Sequence, residues 1–111
     1  MTLHCITGVK LSIEGGSNRG PLMAIVGNKA GGKMGYVCDD WFDHDNNQAK
    51  VACKQMGWED GRYWDPNNKG WSWSVRYSMD DVHCNGEERS LDQCSFIETH
   101  NCYASEVAGV E

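Results

Sequence analysis

The chain has 111 residues, of which 40% are hydrophobic and 23% are charged, a balance typical of one globular domain. Its formal net charge of −6 argues against sequence-independent nucleic-acid binding, because such binding depends on Lys and Arg side chains that neutralise phosphates. No apolar segment is long enough to cross a bilayer, and residues 1–16 lack the apolar core of a secretory signal.

Short apolar segments bounded by turn residues predict several strands. Residues 9–13 alternate between apolar and polar side chains, which is typical of a half-buried strand. Residues 22–26 and 34–38 are two further strand candidates, and the Gly-rich turn at 29–33 suggests that they form a hairpin. Residues 107–110 predict a short terminal strand. Several short strands and one helix favour an α+β fold.

The one clear helix is predicted over residues 46–57. Four apolar residues repeat there at helical spacing: Ala49, Ala52, Cys53 and Met56. Asn46 or Asn47 can cap the start of this helix, and Gly57 can end it in the left-handed conformation. The pattern places Cys53 on the buried face.

The segment 60–78 is rich in aromatic residues and is predicted to be a long loop that ends in a strand near 74–79. Aromatic and Arg side chains are favoured at the centres of binding surfaces. The candidate ligand-binding residues are Arg62, Trp64, Trp71, Trp73 and Arg76. Alternatively, two or three of these rings pack beneath the loop. After Cys84, the pair Asn85-Gly86 indicates a turn, and residues 88–93 predict a single helical turn.

Six cysteines carry the strongest signal: Cys5, Cys38, Cys53, Cys84, Cys94 and Cys102. An even number without metal-ligand spacing favours three disulfides in an oxidising compartment, each worth about 2–4 kcal/mol. Buried cytosolic thiols are the alternative. No Cys-x-x-Cys spacing supports zinc, and no nucleophile motif occurs.

Asp80 and Asp81 are adjacent on a predicted strand, so we expect them to point to opposite faces and to be unsuited to acid–base catalysis.

The order and spacing of these motifs resemble the scavenger receptor cysteine-rich domain family, in its six-cysteine subgroup. The segments that carry the resemblance are residues 9–16, 35–41, 49–57, 79–88, 90–94, 100–102 and 106–110. The resemblance implies a curved antiparallel sheet of about six strands around one main α-helix. It assigns residues 9–111 to the domain and leaves residues 1–8 as an N-terminal extension or upstream remnant.

The resemblance also implies the disulfides Cys38–Cys102 and Cys84–Cys94. The family's final cysteine, which usually pairs with the helix cysteine, would follow Glu111. We therefore predict that Cys5 takes this role in a Cys5–Cys53 bridge. The alternative is that Cys5 belongs to an upstream repeat and that Cys53 is free through truncation.

An acidic constellation is the strongest site candidate. Asp39 and Asp40 follow Cys38, and Glu106 lies four residues after Cys102, so a Cys38–Cys102 bridge would bring the three carboxylates together. Such oxygen ligands suit Ca²⁺ or Mg²⁺, and family domains that bind a divalent cation use carboxylates at these positions. The alternative is a solvated acidic edge.

A second, weaker cation site would match Asp80 and Asn101. Relatives place a third carboxylate where this chain has Gln48, which weakens the prediction. Asp43 or Asp45 could substitute, because the segment before the helix is longer than usual.

The function predicted is an extracellular, non-catalytic ligand-binding module, secreted or in the ectodomain of a membrane protein. It would be part of a larger multidomain protein of the scavenger receptor or adhesion type. We expect divalent-cation-dependent recognition of a protein, glycan or polyanionic surface. The alternatives are an accessory domain of a secreted protease or oxidase, and a structural spacer in a tandem array.

Overall fold

The structure is a computed structural model that describes residues 8–27, 33–67, 77–97, 102 and 106–111. Within these ranges it has seven strands, one α-helix and one short 3₁₀ turn. The strands are β1 (Val9–Ile13), β2 (Gly20–Val26), β3 (Lys33–Val37), β4 (Tyr63–Trp64), β5 (Tyr77–His83), β6 (Ser95–Ile97) and β7 (Gly109–Val110). The helix α1 spans Asn47–Gln55, and the 3₁₀ turn spans Leu91–Gln93.

The strands form one sheet in the order β4-β7-β2-β3-β5-β6, with β1 paired to β2. The predicted antiparallel sheet of about six strands is therefore close to the described one, with one correction. The pair β3–β5 is parallel, because the chain passes through α1 and β4 before it returns to the sheet. Strands β4 and β6 were not predicted, since segments of two or three residues leave no period to detect.

One face of the sheet packs against α1. The helix buries five residues, Gln48, Ala49, Val51, Ala52 and Cys53, and the central strands contribute fully buried apolar side chains such as Leu22, Val37 and Met79. Full burial of such a side chain is worth roughly 1.5–3 kcal/mol. This core fixes the strand ends from which the candidate site is built.

The helix ends as predicted but begins differently. Gly57 has a φ of 98°, the left-handed value expected after a helix. Asn46 occupies the N-cap position, yet its side chain makes no capping bond. Instead, Asn46 Oδ1 accepts a hydrogen bond from the Tyr63 backbone nitrogen at 3.0 Å, and Asp45 Oδ1 accepts one from the Asn47 nitrogen at 2.9 Å. The capping interaction therefore comes from Asp45, and Asn46 ties the helix to β4.

The cysteines confirm two of the three predicted bridges. Cys38 is bonded to Cys102, and Cys84 to Cys94. Cys53 is a free, buried cysteine in this structure, and the predicted Cys5–Cys53 bridge stays a prediction because Cys5 lies outside the described residues. The Cys53 sulfur lies 4.0 Å from the Glu111 carbonyl oxygen, and a Cβ at Gly61 would stand 2.1 Å from it. Gly61 and Glu111 therefore pack closely against this thiol. No helix in the described part of the chain is long and apolar enough to cross a membrane.

Candidate functional site

The first candidate site is the acidic cluster, which we define as Asp39, Asp40, Asp80, Asp81 and Glu106. Its scaffold is the end of β3. The Cys38 nitrogen donates a hydrogen bond to the Met79 carbonyl oxygen at 2.9 Å, and the Asp39 nitrogen donates one to the Glu106 carbonyl oxygen at 2.7 Å. Together with the Cys38–Cys102 bridge, these bonds fix three separate chain segments side by side.

Asp40 lies at the centre of this arrangement. Its carboxylate lies within 4.8 Å of the ligand atoms of Glu106, Cys38 and Cys102 in one group, and of Asp80 and Asp81 in a second group. Asp40 Oδ2 is 3.9 Å from Cys102 Sγ. The structure therefore brings Asp40 and Glu106 together as predicted. The Asp39 carboxylate belongs to neither group.

The electrostatics follow from this crowding. Burial, reinforced by the negative charges of Asp43, Glu106 and Asp40, raises the pKa of Asp39 from 3.8 to about 7. Burial also raises the pKa of Asp40, to about 6, with further contributions from the charge and hydrogen bond of Glu106. Like charges held close together disfavour ionisation. A bound cation would favour it, because a positive charge stabilises the ionised carboxylates.

Asp81 corrects a prediction made from strand geometry. Adjacent strand residues point to opposite faces, yet the carboxylates of Asp80 and Asp81 both approach Asp40. The reason is that Asp81 has a φ of 53°, and the pairing of β5 with β6 shifts register between Asp80 and His83. This irregularity turns both side chains toward the cluster.

The second predicted cation site is only partly described, since Asn101 lies outside the described residues. Asp80 is buried, with 2% of its surface exposed, and its Oδ1 accepts a hydrogen bond from the Asp81 nitrogen at 2.7 Å. Gln48 is fully buried. Its Oε1 accepts a hydrogen bond from the Cys84 nitrogen at 2.9 Å, and its Nε2 donates to Phe42 O at 3.2 Å and to Asp45 Oδ1 at 3.0 Å. Both the oxygen and the nitrogen of the Gln48 amide therefore make hydrogen bonds that stabilise the fold.

Trp41 is a surface feature that the sequence did not single out. Its side chain is 42% exposed, and its ring stacks on His44 at 4.5 Å between centroids and meets His83 at 4.7 Å. Trp41 has a φ of 66°, and Asp81 is the only other non-glycine residue in the described ranges with a positive φ. Such backbone conformations cluster at functional sites. Trp41 directly follows Asp40 of the acidic cluster, and Asp81 is itself a member of the cluster.

The second candidate site is the arginine edge, which we define as Arg19, Arg62, Trp64 and Glu111. Arg62 Nε lies 3.0 Å from one oxygen of Glu111, and Arg19 Nη1 lies 3.5 Å from the other. The Arg19 guanidinium carbon is 5.2 Å from the centroid of the Trp64 ring. The structure therefore brings the predicted residues Arg62 and Trp64 to one edge. The predicted residues Trp71, Trp73 and Arg76 lie outside the described residues.

Arg19 was missed because its sequence neighbours are turn residues, and only the pairing of β2 with β7 brings it to β4. Two cavities of about 380 and 400 Å³ adjoin this edge. Both are lined in part by Asp60 and Glu111; the first also reaches Cys53 and Arg19, and the second Arg62. The edge thus offers two guanidinium groups beside concave surface.

Comparisons with known proteins agree with this architecture. The profile of the family described as "Scavenger receptor cysteine-rich domain" matches residues 17–111. The mouse macrophage receptor MARCO is 38% identical over 104 residues, which cover 92% of this chain and 18% of that protein. Lysyl oxidase homolog 2B of Danio rerio is 38% identical over 81 residues, which cover 71% of this chain and 10% of that protein.

Solved structures give the same picture. The crystal structure of the dimeric form of the SRCR domain of mouse MARCO superposes with a TM-score of 0.67 at 35% identity, covering 89% of this chain and 90% of that chain. The chain spans less than a fifth of the length of the two curated relatives.

Proposed function

Because the chain belongs to the scavenger receptor cysteine-rich domain family, we propose that it is an extracellular, non-catalytic module whose acidic cluster holds a divalent cation for ligand binding. One observation carries the proposal. The carboxylate of Asp40 lies within 4.8 Å of ligand atoms from Glu106 on one side and from Asp80 and Asp81 on the other.

The donor set favours a hard cation. Carboxylate oxygens suit Ca²⁺ and Mg²⁺, and Ca²⁺ tolerates irregular geometry and higher coordination numbers better than Mg²⁺. Asp40 and Glu106 would be the primary ligands, with Asp39 and Asp81 supplying further charge, and Ca²⁺ is the better fit to carboxylates drawn from three segments. Water would occupy the remaining positions and could be replaced by an anionic group of the ligand. In this way a domain with a net charge of −6 could bind a polyanion.

Calorimetry tests the cation directly. Wild-type protein is titrated with Ca²⁺ and with Mg²⁺, beside the variants Asp40→Asn and Glu59→Gln. Glu59 is exposed and lies outside the cluster, so the control removes one charge from elsewhere. We expect heat of binding for wild type and Glu59→Gln and its loss for Asp40→Asn. Equal binding by all three proteins would contradict the proposed site.

A second candidate surface is the arginine edge, which needs no metal. The Arg62 and Arg19 side chains are 68% and 56% exposed, although both pair with Glu111. Exposed guanidinium groups can exchange an internal carboxylate for sulfate or phosphate groups of a polyanion. Binding of a sulfated polysaccharide in Ca²⁺ and in chelator separates the two surfaces. Dependence on Asp40 and Ca²⁺ supports the acidic cluster, whereas dependence on Arg62 alone supports the arginine edge.

The accessory-domain alternative rests on a different observation. The chain matches lysyl oxidase homologs over about a tenth of their length, so domains of this kind occur beside other domains. The absence of a catalytic motif in the sequence is consistent with a targeting or regulatory role there. Attaching the domain to an unrelated secreted reporter enzyme would test this. We expect unchanged turnover of a soluble substrate and increased retention on a polyanionic surface; an effect on turnover alone would contradict it.

A further inference from the structure

The loop closed by the Cys84–Cys94 bridge contains a chemically labile pair, Asn85-Gly86, which is the only Asn-Gly in the chain. In such a pair the glycine nitrogen loses its proton to a base in the solvent and attacks the Asn side-chain carbonyl carbon. A carbon–nitrogen bond forms, the bond to the side-chain amide nitrogen breaks, and that nitrogen takes a proton from the solvent and leaves as ammonia. Water then opens the cyclic imide to aspartate or isoaspartate. Glycine favours the attack because it has no side chain to obstruct it.

The fold does not allow this pair to be replaced freely. Gly86 has a φ of 99°, and a Cβ at this position would stand 2.9 Å from Asn47 Oδ1 on the helix. A left-handed φ is costly for residues with a Cβ. Asn85 Oδ1 accepts a hydrogen bond from the Glu87 nitrogen at 2.8 Å and so shapes the same turn. The local backbone therefore favours Gly86, and the acceptor role of Asn85 favours the dipeptide that is prone to modification.

The Glu88 carboxylate lies against the nitrogen that would attack. It accepts hydrogen bonds from the Gly86 nitrogen at 3.1 Å and from the Asn85 nitrogen at 3.0 and 3.1 Å. Partial burial acts to raise the pKa of Glu88, but the bonds from backbone N–H groups outweigh it, and the pKa is lowered. The carboxylate is therefore ionised at neutral pH, when the glycine nitrogen could otherwise react.

We propose that Asn85 is a latent deamidation site and that Glu88 protects it by binding the Gly86 N–H. Two physical effects act together. The hydrogen bond must break before the nitrogen can turn toward the Asn85 side chain, and the adjacent negative charge opposes loss of the N–H proton. The bond from Glu87 to Asn85 Oδ1 adds a third constraint, because it fixes the amide that would be attacked.

Loss of this protection would alter the loop. Deamidation adds a negative charge, and isoaspartate also lengthens the backbone by one methylene group. The loop cannot adjust easily, because the Cys84–Cys94 bridge closes it and the Gln48 amide accepts the Cys84 N–H. We therefore infer that modification at Asn85 would strain the turn beside α1 and β5.

The test measures deamidation in the intact, disulfide-bonded chain. Wild type, Glu88→Ala, Glu88→Gln and Glu87→Ala are incubated folded at mildly alkaline pH, and a reduced, denatured wild-type sample serves as the unprotected reference. Peptide mapping by mass spectrometry quantifies Asn85 conversion, and an isoaspartate-specific methyltransferase assay identifies the product. Asn18, which precedes Arg19, is the internal control. Near-ultraviolet circular dichroism and the thermal transition establish that each variant is folded.

We expect folded wild type and Glu87→Ala to deamidate slowly at Asn85. Glu88→Ala should react roughly tenfold faster, since a hydrogen bond to a charged group is worth about that factor. Glu88→Gln, which keeps an acceptor without the charge, should fall between them. Two results would overturn the proposal: folded wild type reacting as fast as the denatured reference, or a folded Glu88→Ala reacting no faster than Glu87→Ala.

Discussion

Replacing Asp39 by Asn should stabilise the cation-free domain at neutral pH. Asp39 has a pKa raised from 3.8 to about 7, because burial and the charges of Asp43, Glu106 and Asp40 oppose its ionisation. A shift of about three pKa units corresponds to roughly 4 kcal/mol. The side chain is partly exposed, so solvent screening reduces this value, and we expect about 1–2 kcal/mol.

The sign of the pH dependence follows from linkage. A carboxyl group whose pKa is higher in the folded state binds its proton more tightly when folded. Its ionisation therefore costs stability as the pH rises from about 4 to about 7. In chelator, wild type should become more stable between pH 7.5 and pH 5, with the melting temperature rising by roughly 4–10 °C for such a free energy in a domain of this size. At pH 7.5 the Asp39→Asn variant should have a higher melting temperature than wild type, and its melting temperature should depend much less on pH.

Calcium supplies the second half of the test. If the cluster binds Ca²⁺, the ion should stabilise wild type at pH 7.5 more than at pH 5, since protons compete for the carboxylates. Asp39→Asn should show a smaller calcium effect although it is the more stable protein in chelator. Thermal unfolding at several pH values measures both effects, with Glu59→Gln as the control. A wild-type protein in chelator that loses stability or stays unchanged from pH 7.5 to pH 5 would refute the electrostatic reasoning.

Other predictions concern the scaffold. Gln48→Ala should destabilise the domain by roughly 2–4 kcal/mol in denaturant unfolding, because it leaves the buried Cys84 N–H and the Phe42 carbonyl without their partner; a change under 1 kcal/mol would count against this. Gly61→Ala should cost roughly 1–3 kcal/mol, since the added methyl would stand 2.1 Å from the Cys53 sulfur. The Cys53 thiol, whose pKa is raised by burial and by the charge of Asp60 to about 11, should react with iodoacetamide at pH 7.5 only after unfolding. A Cys5–Cys53 peptide found without reduction would contradict the free thiol.

Elements defined by a local sequence pattern could be predicted, whereas contacts between distant segments could not. The helix and the strand of residues 9–13 were predicted because each repeats apolar residues over enough chain to define a period. The two confirmed disulfides came from the spacing that the chain shares with its family. In contrast, the parallel pairing of β3 with β5 is a contact between distant segments, and no local sequence pattern predicts it.

The same distinction applies to the candidate site. Asp40 and Glu106 were predicted to meet because the Cys38–Cys102 bridge joins their segments. Asp81 was not among the predicted cation ligands. Regular strand geometry turns neighbouring side chains to opposite faces, and only the left-handed backbone of Asp81 reverses this. Such irregular conformations depend on the surrounding structure rather than on the residue itself. The sequence therefore predicted that Asp40 and Glu106 meet but did not predict that Asp81 joins them.

The scaffold explains why carboxylates that repel one another remain together. Asp40 is held near Glu106 by the Cys38–Cys102 bridge and near Asp80 by the pairing of β3 with β5. The covalent bond and the sheet resist the separation that like charges would otherwise cause. Burial, and then the charge and hydrogen bond of the nearby Glu106, raise the pKa of Asp40. A site organised in advance needs little ordering when a ligand binds, so more of the interaction energy appears as affinity. The Cys38–Cys102 bridge should accordingly act on the cluster as well as on stability: its removal would let the pKa of Asp40 fall and would weaken cation binding.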